Sequence, residues 1–437
     1  MRLQWDKLLS DFRTPYEGKT ASASPPNPDR SPFESDYDRV VFSQAFRRLA
    51  RKTQVHPMAP DGVRNRLTHS IEVASVGRSF ANRLGSFLRN RNELPENRSE
   101  HDLSWILMSA CVAHDIGNPP FGHAGEYAIR EWALSHSSEL FPDEYPVSDE
   151  VKQDILIFEG NAQGFRLASR VDIDHTGHLR LTFASLGAMV KYPWCSTDPR
   201  ATEKRKYNCF STERQIFETV FDSMGLRLDD GNWCRHPLSF LSEAADDICY
   251  RVLDLEDAAD IGIVSRDYVR DVYLLFLTGE HVSTPLPILR GKVIQRLIEE
   301  SWTIFVEDYE RILAGERNDD LKTNFSSSMQ DGLAKVGETY ATIFADSSKV
   351  IVELGAYKAI GRIVKALALA TQKLSKHQDV GELMFISKRC LELAWPLDFV
   401  KQHQTESYEW WLHQILDYVG GLTDNYVRQL SREIEGI

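Results

Sequence analysis

Two histidines and a carboxylate sit in apolar sequence, where charge is costly. His69 lies in RNRLTHSIEV, and His114–Asp115 close the run LSWILMSACVAHD. His69 shares a helical spacing with Val73, Val76 and Phe80, and His114 shares one with Leu103, Leu107 and Ala110. Each histidine therefore falls on the apolar face of a helix. Two imidazoles beside one carboxylate suit a divalent ion such as Mn²⁺, Fe²⁺, Co²⁺ or Zn²⁺, with Mg²⁺ also accommodated. A fourth donor must come from elsewhere. Asp246, in EAADDICY, is a candidate because the aspartate pair interrupts an otherwise apolar helix. An unpaired charge buried there costs several kcal/mol, which a cation would offset. The plainer alternative makes His114 a hydrogen-bonded core histidine and leaves Asp246 and Asp247 in water.

A second constellation follows the Gly-Pro-Pro break of HDIGNPPFGHAGEYAI. His123 and Glu126 are three apart and meet in the first turn of a new helix. A carboxylate fixes the tautomer of such a histidine and raises its basicity, so the ring can move a proton near neutral pH. The alternative is an ordinary first-turn pair. Residues 191–211 form the most basic loop of the chain, with Lys191, Arg200, Lys204, Arg205 and Lys206.

The elements that must position these groups read as helices. In PLSFLSEAADDICYRVLDLEDAADI, one stripe holds Leu241, Ala245, Ile248, Val252 and Leu255, and a second holds Asp246, Tyr250, Asp254 and Asp257. Helical spacing continues to the C-terminus, where Trp411, Ile415, Tyr418, Leu422 and Tyr426 form a stripe expected to face core or a subunit interface. Strand-like alternation is sparse, so the fold class is all-α. Residues 1–34 read as an N-terminal segment and loop, 35–265 as a catalytic core, and 266–437 as a helical region packed on it. A net charge of −13 excludes a surface that coats nucleic acid as a whole, though not a local phosphate pocket. Six scattered cysteines without a Cys-x-x-Cys pair suit reduced thiols in the cytoplasm. Neither a signal peptide nor a membrane span is expected.

His69, His114–Asp115 and the distant Asp246 resemble the H…HD…D signature of the HD-domain metal phosphohydrolases. RRLARKTQV, RNRLTHSIEV, HDIGNPPFGHAGE, FEGNAQG, EAADDICYRVLDLEDA and GGLTDNY together resemble the bacterial deoxyguanosine-triphosphate triphosphohydrolases and related dNTP triphosphohydrolases. The resemblance covers about residues 33–260 and a patch near the C-terminus. It implies an HD-domain helical core with additional C-terminal helices. It also implies hydrolysis of dGTP or other dNTPs at the α-phosphorus, giving deoxynucleoside and tripolyphosphate. The metal, Mn²⁺ or Mg²⁺ first, would be held by His69, His114, Asp115 and Asp246. The family spacing of metal Asp, Tyr four later and Asp eight later selects Asp246 over Asp247.

By the same resemblance, Tyr250 and Asp254 contact the deoxyribose, with Tyr250 excluding a ribose 2′-OH and Asp254 accepting from the 3′-OH. His123 and Glu126 match the catalytic dyad. Arg66 falls near the α-phosphate, Asn161 near the dyad and Gln54 near the sugar. Lys191, Tyr192 and Lys206 would meet the β- and γ-phosphates. No base-reading residue is assigned. The resemblance further implies a homo-oligomer such as a hexamer, with nucleotide or single-stranded DNA as an effector. Two other readings compete: a nucleotide 5′-phosphatase or (p)ppGpp hydrolase of the same superfamily, and a nucleotide sensor with vestigial hydrolysis.

Overall fold

Asn65 and Ser99 begin the two helices that carry the metal-type histidines. The Thr68 amide donates to Asn65 Oδ1 at 3.0 Å, and the Asn65 amide donates back to Thr68 Oγ1 at 3.1 Å. Ser99 and Asp102 make the same reciprocal pair at 3.2 and 2.8 Å. Each pair satisfies amides that the first helical turn leaves without partners. The helices Arg66–Asn90 and Glu100–Ala113 pack together, burying Val73, Val76 and Phe80 on one and Leu103, Leu107 and Ala110 on the other. His114 caps the second, so the histidine and Asp115 fall where the apolar run ends.

The helix Pro237–Asp260 crosses the first of these. Pro237 opens it, at a position whose amide would have had no partner within the helix. Leu241, Ala245, Ile248, Val252 and Leu255 are all buried.

The computed structural model describes residues 2–15, 21–23, 27, 29–54, 62–170, 179–279 and 283–436. The protein is all-α. Among the described residues, strand is confined to one antiparallel pair, Phe12–Arg13 with Ser22–Ala23, in which Phe12 faces Ala23. No described helix is long and apolar enough to cross a membrane.

Two large apolar clusters organise the helices. One surrounds the three helices above and includes Phe33, Val73, Phe80, Leu107, Ile248 and Val252. The other joins Trp132, Phe158, Tyr207 and Phe210 to Ile360, Trp411 and Ile415, and so draws on both sides of residue 265. Its long member, Ser347–His377, lies across His123–Ser135. Gly361 permits this approach, since a Cβ there would run into the Trp132 indole.

Two sequence expectations change in detail. Residues 191–211 are not an irregular loop throughout. Asp198 accepts from the Arg200 amide at 2.9 Å and caps a short helix, Pro199–Lys204, while a backbone bridge joins Cys195 to Cys209, both free thiols, at the base of the excursion. The C-terminal stripe is also not continuous. The helix Tyr408–Gly421 ends before Leu422, and Tyr426, 40% exposed, belongs to the next helix, Asp424–Glu435. Asp424 opens that next helix, and its carboxylate is engaged across the fold, as described next.

Candidate active site

A cavity of about 370 Å³ opens between the two apolar clusters. Of the metal, dyad and substrate residues that the family resemblance implies, all line it except Glu126 and Asp254. His69, His114, Asp115 and Asp246 converge at its floor. His69 Nε2 is 3.1 Å from Asp246 Oδ1; His114 Nε2 is 3.4 Å from the same oxygen and 3.5 Å from Asp115 Oδ2. Donor atoms of His69, His114 and Asp115 all lie within 4.8 Å of one another, the spacing of a group that could hold a metal ion.

The donor chemistry fits such an ion. His114 Nδ1 donates to the Cys111 carbonyl at 2.6 Å, which fixes the tautomer and turns the Nε2 lone pair to the cluster. His69 Nδ1 is buried and meets no partner among the described residues. Burial would raise the Asp115 carboxyl, but Arg66, 2.8 Å from Oδ2, and the two histidines pull it down to about 2. Asp246 is likewise held well below the usual range: burial would raise it, but Lys191, 3.0 Å from Oδ2, and the two histidines together outweigh that. Both carboxylates therefore stay ionised, as ligands must.

His123 stands beside this cluster at the start of its helix. Gly122 precedes it at φ +58°, a conformation that favours glycine, and a Cβ there would strike the Arg66 guanidinium. His123 Nδ1 lies 2.9 Å from Glu126 Oε2. The ring is 72% exposed and the carboxylate 3%. Glu126 Oε1 accepts from the Gly160 amide at 2.8 Å. Burial would raise Glu126, yet the His123 bond and the charges of Lys206 and Arg130 hold it below its ordinary value. An ionised carboxylate only accepts, so Nδ1 carries the hydrogen and Nε2 is left to exchange a proton.

The remaining expected residues fall into two groups. Lys206 reaches Glu159 at 2.7 Å, and Asn161 donates to the same carboxylate at 2.8 Å. Lys191 stands on Asp246, with Tyr192 beside it on the cavity wall. Gln54 also lines the cavity, its Oε1 buried without a partner among the described residues. On the acidic stripe, Tyr250 faces the cavity. Asp254 lies behind it, 1% exposed, with Oδ2 accepting from Tyr340.

Several contributors carried no role in the sequence reading. Asn118 donates to Asp115 Oδ1. Lys52 spans the Asn118 and Gly420 carbonyls at 2.6 and 2.7 Å. Asp424 takes the Phe121 amide on Oδ1 at 2.8 Å and the Thr53 amide on Oδ2 at 2.8 Å. It so holds Phe121 at φ +65° directly before Gly122 and His123. The segments GNPP, KTQV and GGLTDNY were visible as motifs, but nothing in them shows which side chain reaches across the fold. Lys349, Val352 and Glu353 line the far wall from a stretch with no motif at all.

Residues 66–145 match the HD domain family. With the helical fold and the donor cluster, this defines a hydrolase of the metal-dependent phosphohydrolase class. Over its whole length the chain is 39% identical to a deoxyguanosinetriphosphate triphosphohydrolase-like protein of Pseudomonas aeruginosa, covering 99% of both chains. A protein of the same description from Synechocystis sp. is 34% identical over 100% of both. A deoxyguanosinetriphosphate triphosphohydrolase of Klebsiella pneumoniae is 34% identical over 67% of this chain and 62% of its own. The chain belongs to the deoxyguanosinetriphosphate triphosphohydrolase-like family, a group of dNTP triphosphohydrolases.

Proposed function

We propose that this protein hydrolyses deoxynucleoside triphosphates, dGTP among them, at the α-phosphorus, releasing the deoxynucleoside and tripolyphosphate. The observation that carries this reading is that the two-histidine, two-aspartate cluster and His123, held from behind by Glu126, share one cavity with Lys191 and Lys206. The protein's relatives, described as deoxyguanosinetriphosphate triphosphohydrolases or proteins like them, support the same substrate class.

In this reading His69, His114, Asp115 and Asp246 hold a divalent ion, Mn²⁺ or Mg²⁺. Bound there, it would polarise a phosphoryl oxygen and acidify a water. Arg66 offers a guanidinium to the α-phosphate from its position beside Asp115. Lys191, Tyr192 and Lys206 take the outer phosphates, the lysines as point charges. His123 Nε2 moves the proton, with Glu126 fixing the ring and stabilising its charged form. Asn161 holds Glu159, the partner of Lys206. Gln54 supplies an unmet acceptor near the sugar. Tyr250 closes the 2′ side, and Asp254 accepts from the 3′-OH. A homo-oligomer belongs to this reading too. Met384, Phe385 and Ile386 are consecutive and each more than half exposed, an apolar surface suited to a second copy.

Phosphorus NMR of the products from dGTP, dATP, dCTP, dTTP and GTP with Mn²⁺ tests the reaction. Tripolyphosphate with free deoxynucleoside is the expected result. Orthophosphate or pyrophosphate would move the protein to another class of HD hydrolase. Binding of dNTPs without turnover, in every dNTP mixture, would make it a sensor.

A further inference from the structure

Tyr340 lies on the helix Ser327–Phe344, in a region where the sequence shows no motif. Its ring is stacked on that of Tyr250, with centroids 4.7 Å apart and planes 7° from parallel. Its hydroxyl lies 3.0 Å from the Tyr250 carbonyl oxygen and 3.1 Å from Asp254 Oδ2. One tyrosine from a distant helix thus touches both residues of the acidic stripe assigned to the sugar. The other oxygen of that carboxylate, Asp254 Oδ1, is buried and meets no donor among the described residues.

The helix holding Tyr340 is itself fixed. Met329, Val336 and Ile343 are buried on its inner face, and Thr339 Oγ1 lies 3.0 Å from the Tyr268 hydroxyl. Tyr340 therefore cannot retreat without moving a packed helix.

These contacts bear on how a steric gate works. A ring excludes a 2′-OH only if it cannot yield. Swinging an unsupported side chain about 30° off its rotamer costs roughly two- to tenfold in an equilibrium. Tyr250 alone would then discriminate by no more than about that factor. Backed by a parallel ring on a packed helix, it must displace close-packed atoms to give way, and the penalty rises steeply. A second requirement concerns Asp254. A buried carboxylate free to rotate offers its acceptor in several directions. With Oδ2 tied to the Tyr340 hydroxyl, Oδ1 remains the one oxygen of that carboxyl group without a partner among the described residues.

We propose that Tyr340 is the positioning residue of sugar selection, its ring holding Tyr250 as the 2′ gate and its hydroxyl orienting Asp254 toward the 3′-OH. This rests on the reading of Tyr250 and Asp254 as the sugar-contacting pair. The two functions separate by substitution. Tyr340→Phe keeps the stack and removes the hydroxyl; Tyr340→Ala removes both.

The test measures dGTP, GTP and 2′,3′-dideoxy-GTP with the full-length protein, each as kcat/KM and as Kd, for wild type, Tyr340→Phe, Tyr340→Ala and Tyr250→Ala. Tyr340→Phe should keep the dGTP/GTP ratio within about twofold. Its preference for dGTP over the dideoxy analogue should fall about three- to tenfold, in KM and Kd rather than kcat. Tyr340→Ala should lose that preference and also relax the dGTP/GTP ratio by about tenfold or more. If Tyr250→Ala relaxes the ratio while folded Tyr340→Ala leaves it unchanged, the backing role is wrong and the sugar pair stands. If Tyr340→Phe leaves the dideoxy preference intact, the hydroxyl does not orient Asp254. If Tyr250→Ala itself changes nothing, the sugar-pair reading fails and this inference with it.

Discussion

His123 and Glu126 share one task between an exposed ring and a buried carboxylate. Removing the ring should leave the metal-type cluster intact, because no cluster contact passes through it. His123→Ala is expected to lower kcat by about 10²–10⁴ while metal content, read by elemental analysis, stays at the wild-type level. His114→Ala should lose metal and activity together. Metal loss in the first variant, or full metal in the second, would exchange their roles. Asp254 supplies a pH signature. Burial first, then the charge of Asp257, push its carboxyl up to about 8, against the pull of His69 and the Tyr340 hydroxyl. The folded chain thus keeps a proton that the unfolded chain releases near 3.8. The folded state binds more protons between those values, so this group subtracts stability as pH rises from about 4 to about 8. Asp254→Asn removes that slope. With chelator present, urea unfolding at pH 5 and pH 8 should show the variant gaining on wild type by on the order of 1–3 kcal/mol at the higher pH. A pH-independent difference would sink the assignment. At this scale the sequence was legible where a residue's type carries its chemistry. His69, His114, Asp115 and Asp246 stood out by being polar in apolar helices, and the structure brings the four together. Tyr340 and Glu159 announced nothing, because their roles lie in what they touch.

The turn after the metal-type histidine shows how two elements are brought together. Gly117 packs against the start of the helix Gly160–Ser169, and a Cβ on Gly117 would run into the Gly164 amide nitrogen and the Gly160 carbonyl oxygen. Neither backbone can move freely, since the Gly160 amide also holds Glu126. Gly164 is the opposite case. Its own Cβ would sit 3.7 Å from the nearest Gly117 atom, an ordinary contact. Gly117→Ala should therefore destabilise the protein by about 2 kcal/mol or more and reduce turnover. Gly164→Ala should be neutral or stabilising by up to about 1 kcal/mol, from helix propensity. Equal costs in urea titrations would mean the turn and helix are not in the tight contact described. The segments HDIGN and EGNAQG were both conspicuous in the sequence, but their meeting was not, because a glycine records only the absence of a side chain. The basic segment was misread for a related reason. Its anchor is Asp154, buried in a different helix, which accepts from the Ser211 amide at 3.0 Å and lies 3.1 Å from His413 Nε2. No local pattern reports so distant a partner.

The whole molecule places its chemistry on a seam. The metal-type residues rise from helices of one apolar cluster, and the dyad with Lys206 and Glu159 belongs to segments packed in the other. The all-α class was legible from periodicity, which counts apolar positions along one helix. The division into two clusters was not, since it depends on which helices meet, and the second unites residues more than 200 positions apart, such as Trp132 and Ile360. The C-terminal stripe is buried at Trp411 and Ile415, and loses its continuity at Leu422 and Thr423, between two helices, directly before the Asp424 that crosses the seam. That carboxylate meets Phe121, two residues before the helix of His123 and Glu126, on one oxygen, and Thr53, next to Gln54, on the other. An amide in its place can accept on one side only and turns an N–H₂ toward donors on the other. Asp424→Asn should then cost about 1–3 kcal/mol in unfolding free energy, the price of one buried donor left unmet. It should also lower kcat about tenfold with KM little changed, because a shift of the left-handed Phe121–Gly122 turn moves His123 and not the phosphate-facing lysines. A variant that loses stability but keeps kcat would show that the tie across the seam holds the two clusters together without setting the position of the dyad.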